Sequence, residues 1–184
     1  MKQTRVDFPD FKKEQLRLED GLKKLPKWAG NATLNFYKDS WRRQGFIDRS
    51  FLRWAKRKGN ESKKARGVLV KSGALRRSLR MSVSGTVISI HTDMPYAQGH
   101  NEGAKITQTV TPRQRRFFWA MHYKAKKTKR DKEAGMWKSM ALATTININL
   151  PKRQFMDIPG GKLSYFMEQR LALHIESLIR NALP

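Results

Sequence analysis

The chain has 184 residues, the size of one domain with an appended arm, and 39% of them are hydrophobic, enough to bury a core and to exclude wholesale disorder. It has no cysteine, which excludes disulfides and thiolate metal sites and allows a reducing cytoplasm. No apolar run approaches the roughly 18–20 residues that span a bilayer, and the opening residues Met1 to Asp7 lack the apolar centre of a secretory signal.

The formal net charge is +24, and it is unevenly placed. Residues 1–20 are neutral, whereas Arg42 to Arg80 carries fourteen Lys/Arg against Asp48 and Glu61. Arg113 to Lys132 carries nine against Asp131 alone. Self-repulsion on this scale disfavours a lone compact monomer; DNA, RNA or an acidic protein surface would relieve it.

In chain order, Phe11, Leu18, Leu22 and Leu25 recur at helical spacing and predict a first helix ending at Pro26. Pro26 suits the first turn of a second helix, with Trp28, Leu34, Phe36, Tyr37 and Trp41 as its apolar surface and Gly45 as its stop. Phe46, Ile47, Phe51, Leu52 and Trp54 anchor the next stretch, and Lys56 to Arg66 reads as a solvated basic loop. Ser72 caps a short helical turn through Leu79. The period then changes to two. Leu79, Met81 and Val83 alternate with polar residues, Gly85-Thr86 turns the chain, and Val87 to Thr92 returns, which predicts a hairpin.

Pro95 stops that strand, and "YAQGHNEG" (96–103) forms a corner. Ile106 to Val110 is the next strand. Thr111-Pro112 opens a helix with Phe117, Phe118, Met121 and Trp119 on its apolar side and Arg113, Arg115 and Arg116 in its first turn. Lys124 to Lys132 has no apolar side and reads as a mobile loop. Thr144 to Leu150 alternates as a strand, Pro159-Gly160-Gly161 is a turn, and a last amphipathic helix shares Leu163, Phe166, Met167, Leu171, Ile175, Leu178 and Ile179 on one face. The sum is an α+β fold, a small largely antiparallel sheet packed against several helices. It divides into an N-terminal helical arm, 1–25, and one domain, 26–184, with a basic loop at about 124–135.

No constellation in the chain carries evident chemistry. His100, Asn101 and Glu102 are consecutive and point different ways in a turn, whereas metal sites draw ligands from i, i+4 pairs or separate elements. Gly99 and Gly103 would supply special backbone angles, Asn101 and His100 would bond the backbone of the corner, and Tyr96 would bury its ring there. A nucleophile elbow and a phosphate-binding loop are both missing. Asp93 and Asp157 stand alone in sequence. No cofactor is expected. Aromatics interleave with cations at 41–43, 53–57 and 115–119, a pattern that serves base stacking or, more simply, core aromatics beside solvated charges.

Three motifs in order carry a resemblance: Leu69, Ser72, Gly73, Leu75 and Ser78; then Tyr96, Ala97, His100 and Gly103; then Pro151, Arg153 and Phe155. Over residues 28–180 the chain resembles the virion-morphogenesis, or tail-completion, family of tailed bacteriophages. The resemblance implies a structural protein rather than an enzyme, a homo-oligomeric ring at the head–tail junction around the DNA channel. Its partners would be other neck, connector or tail proteins, without a membrane. It would reside in the virion, and in the host cytoplasm during assembly. Lys124, Lys126, Lys127, Lys129, Arg130 and Lys132 are candidates for contact with packaged DNA or a partner. Arg153 would anchor a carboxylate such as Glu102 or Asp157, or else be a solvated charge. The alternatives are a non-specific nucleic-acid-binding protein without a virion role, and a metal-dependent nuclease using His100 and Glu102.

Overall fold

A computed structural model describes residues 11–56, 67–158, 160 and 162–182. The fold is α+β, with helices accompanied by three two-stranded antiparallel sheets. It forms two compact units, residues 1–101 with 153–184, and residues 102–152. The chain therefore passes between them twice, after Asn101 and before Arg153.

The first unit is organised on α1, Lys12–Arg43. Two helices were predicted here, yet α1 runs unbroken through Pro26. Proline removes one backbone donor and crowds the carbonyl four residues back. Burial holds the helix regardless: Ala29, Ala32, Phe36, Tyr37 and Trp41 line the buried face beyond it. Gln44, in the left-handed region at φ 55°, closes α1 through its N–H to the Ser40 carbonyl. Gly45 instead begins β1, Gly45–Ile47, paired with β2, Phe51–Arg53. A Cβ at Gly45 would lie 2.6 Å from the Leu52 carbonyl oxygen, so only glycine fits.

After α2, Ala74–Ser78, the predicted hairpin is present as β3, Arg80–Ser84, and β4, Val87–His91, turning at Gly85 with φ 58°. Its inner residues Met81 and Ile88 meet α1 at Gly30, where an added Cβ would collide with Met81 Sδ. The corner 97–102 is a short helix, α3 (Ala97–Glu102), rather than an open turn. The last helix of the chain, Tyr165–Ala182, buries Met167 and half-buries Leu171, His174 and Leu178. Ile175 and Ile179, predicted on its inner face, are exposed. His174 stacks on Trp28 at 3.5 Å between ring centroids, and Leu178 covers Gly21. The core of this unit joins Phe36, Trp41, Phe46, Trp54, Leu75, Leu79, Phe155 and Met167.

The second unit pairs β5, Ala104–Thr109, with β6, Thr145–Leu150 (Ala104 opposite Leu150, Thr109 opposite Thr145). Both strands were legible, β5 from its β-branched residues and β6 from its alternation. Between them stands a helical hairpin, α4 (Pro112–Lys127) and α5 (Asp131–Leu142); the final helix is accordingly α6. Thr111 caps α4 as expected, in a reciprocal capping box with Gln114 and with Pro112 in the first turn. Phe118, Val110 and Ala141 form the core of this unit with Trp119, Trp137, Met140 and Ile146. Lys124 to Lys132 is thus not a loop: it is the last turn of α4, a three-residue connection and the start of α5. The expected basic loop at 56–66 falls, beyond Lys56, outside the described residues, as do Pro159 and Gly161 of the expected turn.

Candidate functional site

The C-terminus of α1 positions the first motif. The Gln44 amide accepts from the Val68 N–H and donates to the Trp41 carbonyl at 2.6 Å, while Trp41 Nε1 donates to the Leu69 carbonyl at 3.2 Å. These bonds hold the 68–69 turn, in which Leu69 takes φ 60°, a left-handed conformation rare for a branched residue. Gly73, at φ 68°, leads into α2. Ser72 is not the helix cap that was expected; its Oγ accepts from the Ala74 N–H at 3.3 Å, closing a local turn before α2. Leu75 and Leu79 are buried, and Ser78 joins its hydroxyl to Thr92 on the far side of the hairpin.

The second and third motifs are bonded to each other. The His100 carbonyl accepts from the Arg153 N–H at 2.8 Å. The buried Asn101 Oδ1 accepts from both Phe155 N–H, at 2.9 Å, and Met156 N–H, at 3.1 Å. An extended segment with no strand partner thereby has its donors met by one amide. Phe155, fully buried, lies 4.8 Å from the Trp41 ring, and Trp54 Nε1 donates to the Gln154 carbonyl at 2.6 Å. Asn101 does bond the backbone, as expected, but the backbone lies 54 residues away and not in its own corner.

Several expectations at this corner are corrected. Tyr96 does not bury its ring; it is 45% exposed and meets His100 edge-on. Gly99 lies inside α3 without a positive φ, whereas Gly103 has φ 83° and Lys152 N would sit 3.1 Å from an added Cβ. Arg153 is not a solvated charge: it is 8% exposed and its Nε donates to the Ala55 carbonyl at 3.1 Å. The Asp157 carboxylate, suggested as its anchor, instead accepts from Tyr37 Oη at 2.8 Å and from the Ser164 N–H at 3.1 Å. Burial pushes the Asp157 carboxyl above the usual range, against the pull of Tyr37 and Ser164; burial, with Asp157 beside it, also pushes the Tyr37 hydroxyl up. Nothing in the sequence signals this pair, since its members are 120 residues apart.

Leu69, Ser72 and Leu75 from the first motif, Tyr96 and His100 from the second and Arg153 from the third line one cavity of about 410 Å³. His100 Nδ1 is buried there without a hydrogen-bond partner among the described residues. Burial, followed by the nearby Arg153 charge, lowers the pKa of the imidazole, so it stands neutral at neutral pH. From the described residues the cavity thus draws a neutral imidazole and a buried guanidinium. Among the described residues no group of three His, Asp or Glu could hold a metal.

The interleaved aromatics mostly face inward. Trp41, Trp54 and Phe118 are buried beside exposed cations, while Phe117 is 54% exposed. Lys124, Lys126, Lys127, Lys129, Arg130 and Lys132 are all exposed at the end of the α4–α5 hairpin. No helix among the described residues is long and apolar enough to cross a membrane. Compared with family models, curated proteins and solved structures, the chain finds no match.

Proposed function

We propose that this protein is a structural subunit of a tailed-phage virion, assembling into a ring at the neck or tail top around the DNA channel, and that it performs no catalysis. The meeting of the three motifs carries the reading. Residues spread from Leu69 to Arg153 line one cavity, His100 and Asn101 are bonded to the 153–156 segment beside it, and those bonds go to backbone rather than to a reactive group. Motifs used in this way hold a building block in shape.

Self-association is supported by unburied apolar surface. Leu16 and Leu22 on α1 and Leu173, Ile175 and Ile179 on α6 are exposed, apolar surface that a neighbouring subunit would cover. Each two-stranded sheet also leaves strand edges that a neighbouring subunit can cover.

Native mass spectrometry across a range of protein concentrations, with electron microscopy of the assemblies and of purified particles, tests the proposal. Closed rings and incorporation into particles are expected. A chain that stays monomeric and is absent both from particles and from assembly intermediates would overturn it. The +24 charge favours, as a second reading, a nucleic-acid-binding protein without a virion role. That reading expects salt-sensitive DNA binding by the monomer, with no ring at any concentration.

A further inference from the structure

We infer that the tip of the α4–α5 hairpin is a contact site for the phosphate backbone of duplex DNA, read without regard to base sequence. The connection is built as a helix-ending motif of a defined kind. Arg130 N–H bonds the Ala125 carbonyl at 3.0 Å and Lys129 N–H bonds the Lys126 carbonyl at 3.0 Å, with Thr128 Oγ1 on the carbonyls of Lys124 and Ala125. In this motif the residue at the position of Lys129 is left-handed, and glycine is strongly favoured there because it has no Cβ. Lys129 occupies it at φ 54°. A lysine where glycine would be more stable is a local rule broken, and such breaks concentrate where a side chain is needed for function.

The charges around it agree. Lys124, Lys126, Lys127, Lys129 and Lys132 are exposed, and none has an acidic side chain within ion-pair distance among the described residues. Arg130 pairs with Glu133 at 3.4 Å, and Asp131 is the one other acid in this stretch. The helix dipole favours cations at the end of α4, but it disfavours Lys132 in the first turn of α5, so it does not account for the whole cluster. Ion pairs are few elsewhere too, with Lys24 on Asp20 and Arg42 and Arg43 on Asp39, so it is the density of cations at one helix connection that sets the tip apart.

The tip is also held stiffly. Buried Ala125 and Ala134 sit where the two helices come together, and His122 Nδ1 ties α4 to the Ala134 carbonyl at 2.8 Å. Unpaired cations on a rigid prong bind a polyanion mainly by releasing its counterions, which gives affinity without sequence preference. The inference does not depend on the virion role, because the tip would bind DNA whether or not the chain forms rings.

The test measures binding of the full chain to a random-sequence duplex at several salt concentrations. The triple variant Lys126→Gln, Lys127→Gln, Lys129→Gln is compared with a control, Lys13→Gln, Lys23→Gln, Lys27→Gln, on α1. At about 0.9 per phosphate contact, the tip variant should flatten the slope of log affinity against log salt by roughly 2–3, and the control should leave it unchanged. Lys129→Gly alone should raise the melting temperature by about 2–4 °C while weakening binding, a pairing of signs that a purely structural role does not produce. Equal losses in tip and control variants, no loss in either, or binding of polyglutamate as tight as that of the duplex would overturn the inference.

Discussion

The Asn101 carboxamide oxygen accepts two backbone N–H groups from the 155–156 segment, one of them fully buried. Asn101→Ala would leave both without a partner and should cost about 2–4 kcal/mol, read as a lower denaturant midpoint; Asn101→Asp keeps the acceptor and should recover part of the loss. His100 carries a pH dependence. Its pKa in the folded chain is below the unfolded value, so the unfolded chain takes up the proton first as pH falls. Its contribution to stability is therefore complete above the ordinary histidine pKa of about 6.5 and is lost as pH falls below it. Melting temperature followed across this range should fall less steeply in His100→Gln than in the parent. Asp157 has the opposite sign. Its raised pKa means the folded chain holds the proton more tightly, so stability from this group declines as pH rises from the ordinary carboxylate range through the elevated value. All three residues are visible in the sequence, but their roles depend on partners that no local pattern names.

Among the elements, α1 shows propensity and burial in conflict. Pro26 predicts a break, and the apolar face from Ala29 to Trp41 keeps the helix whole. Pro26→Ala should therefore stabilise the protein, by roughly 1–3 kcal/mol, because it restores a donor and relieves a clash without altering that face. A fall in the denaturation midpoint would show that the proline is needed for the course of α1. Gly103 is the reverse case. Its φ of 83° strains any side chain, and Lys152 N and the Leu150 carbonyl, 3.1 and 3.3 Å from an added Cβ, would have to give way, so Gly103→Ala should destabilise by about 1–3 kcal/mol. The β3–β4 hairpin and the β5 and β6 strands were legible because alternation and β-branched residues act locally. α5 was missed: its start lies in a run of charge and its apolar residues spread around the helix instead of along one side, so it is a helix chiefly through what Ala134 and Ala141 bury.

At the scale of the whole molecule, the proposed assembly rests on the surplus of +24 and the exposed apolar residues of α1 and α6. If these helices form the subunit contact, Ile175→Glu with Ile179→Glu should shift native mass spectra toward the monomer and leave the fold unchanged, because neither side chain is buried. Salt should affect such assembly less than it affects DNA binding, since apolar contacts are not screened and phosphate contacts are.

Composition and periodicity alone determined the α+β class, the central hairpin, the capped α4 and the absence of disulfide chemistry, since each follows from neighbours within a turn or two of the chain. The order of the motifs was also there to be read, but not their use. That Leu69, His100 and Arg153 line one cavity, that Asn101 serves a segment 54 residues away, and that a run of lysines forms the connection of a helical hairpin were decided only by tertiary structure. The reason is physical: burial and hydrogen-bond satisfaction are settled between distant segments, and the energies they command exceed the small local preferences a sequence displays.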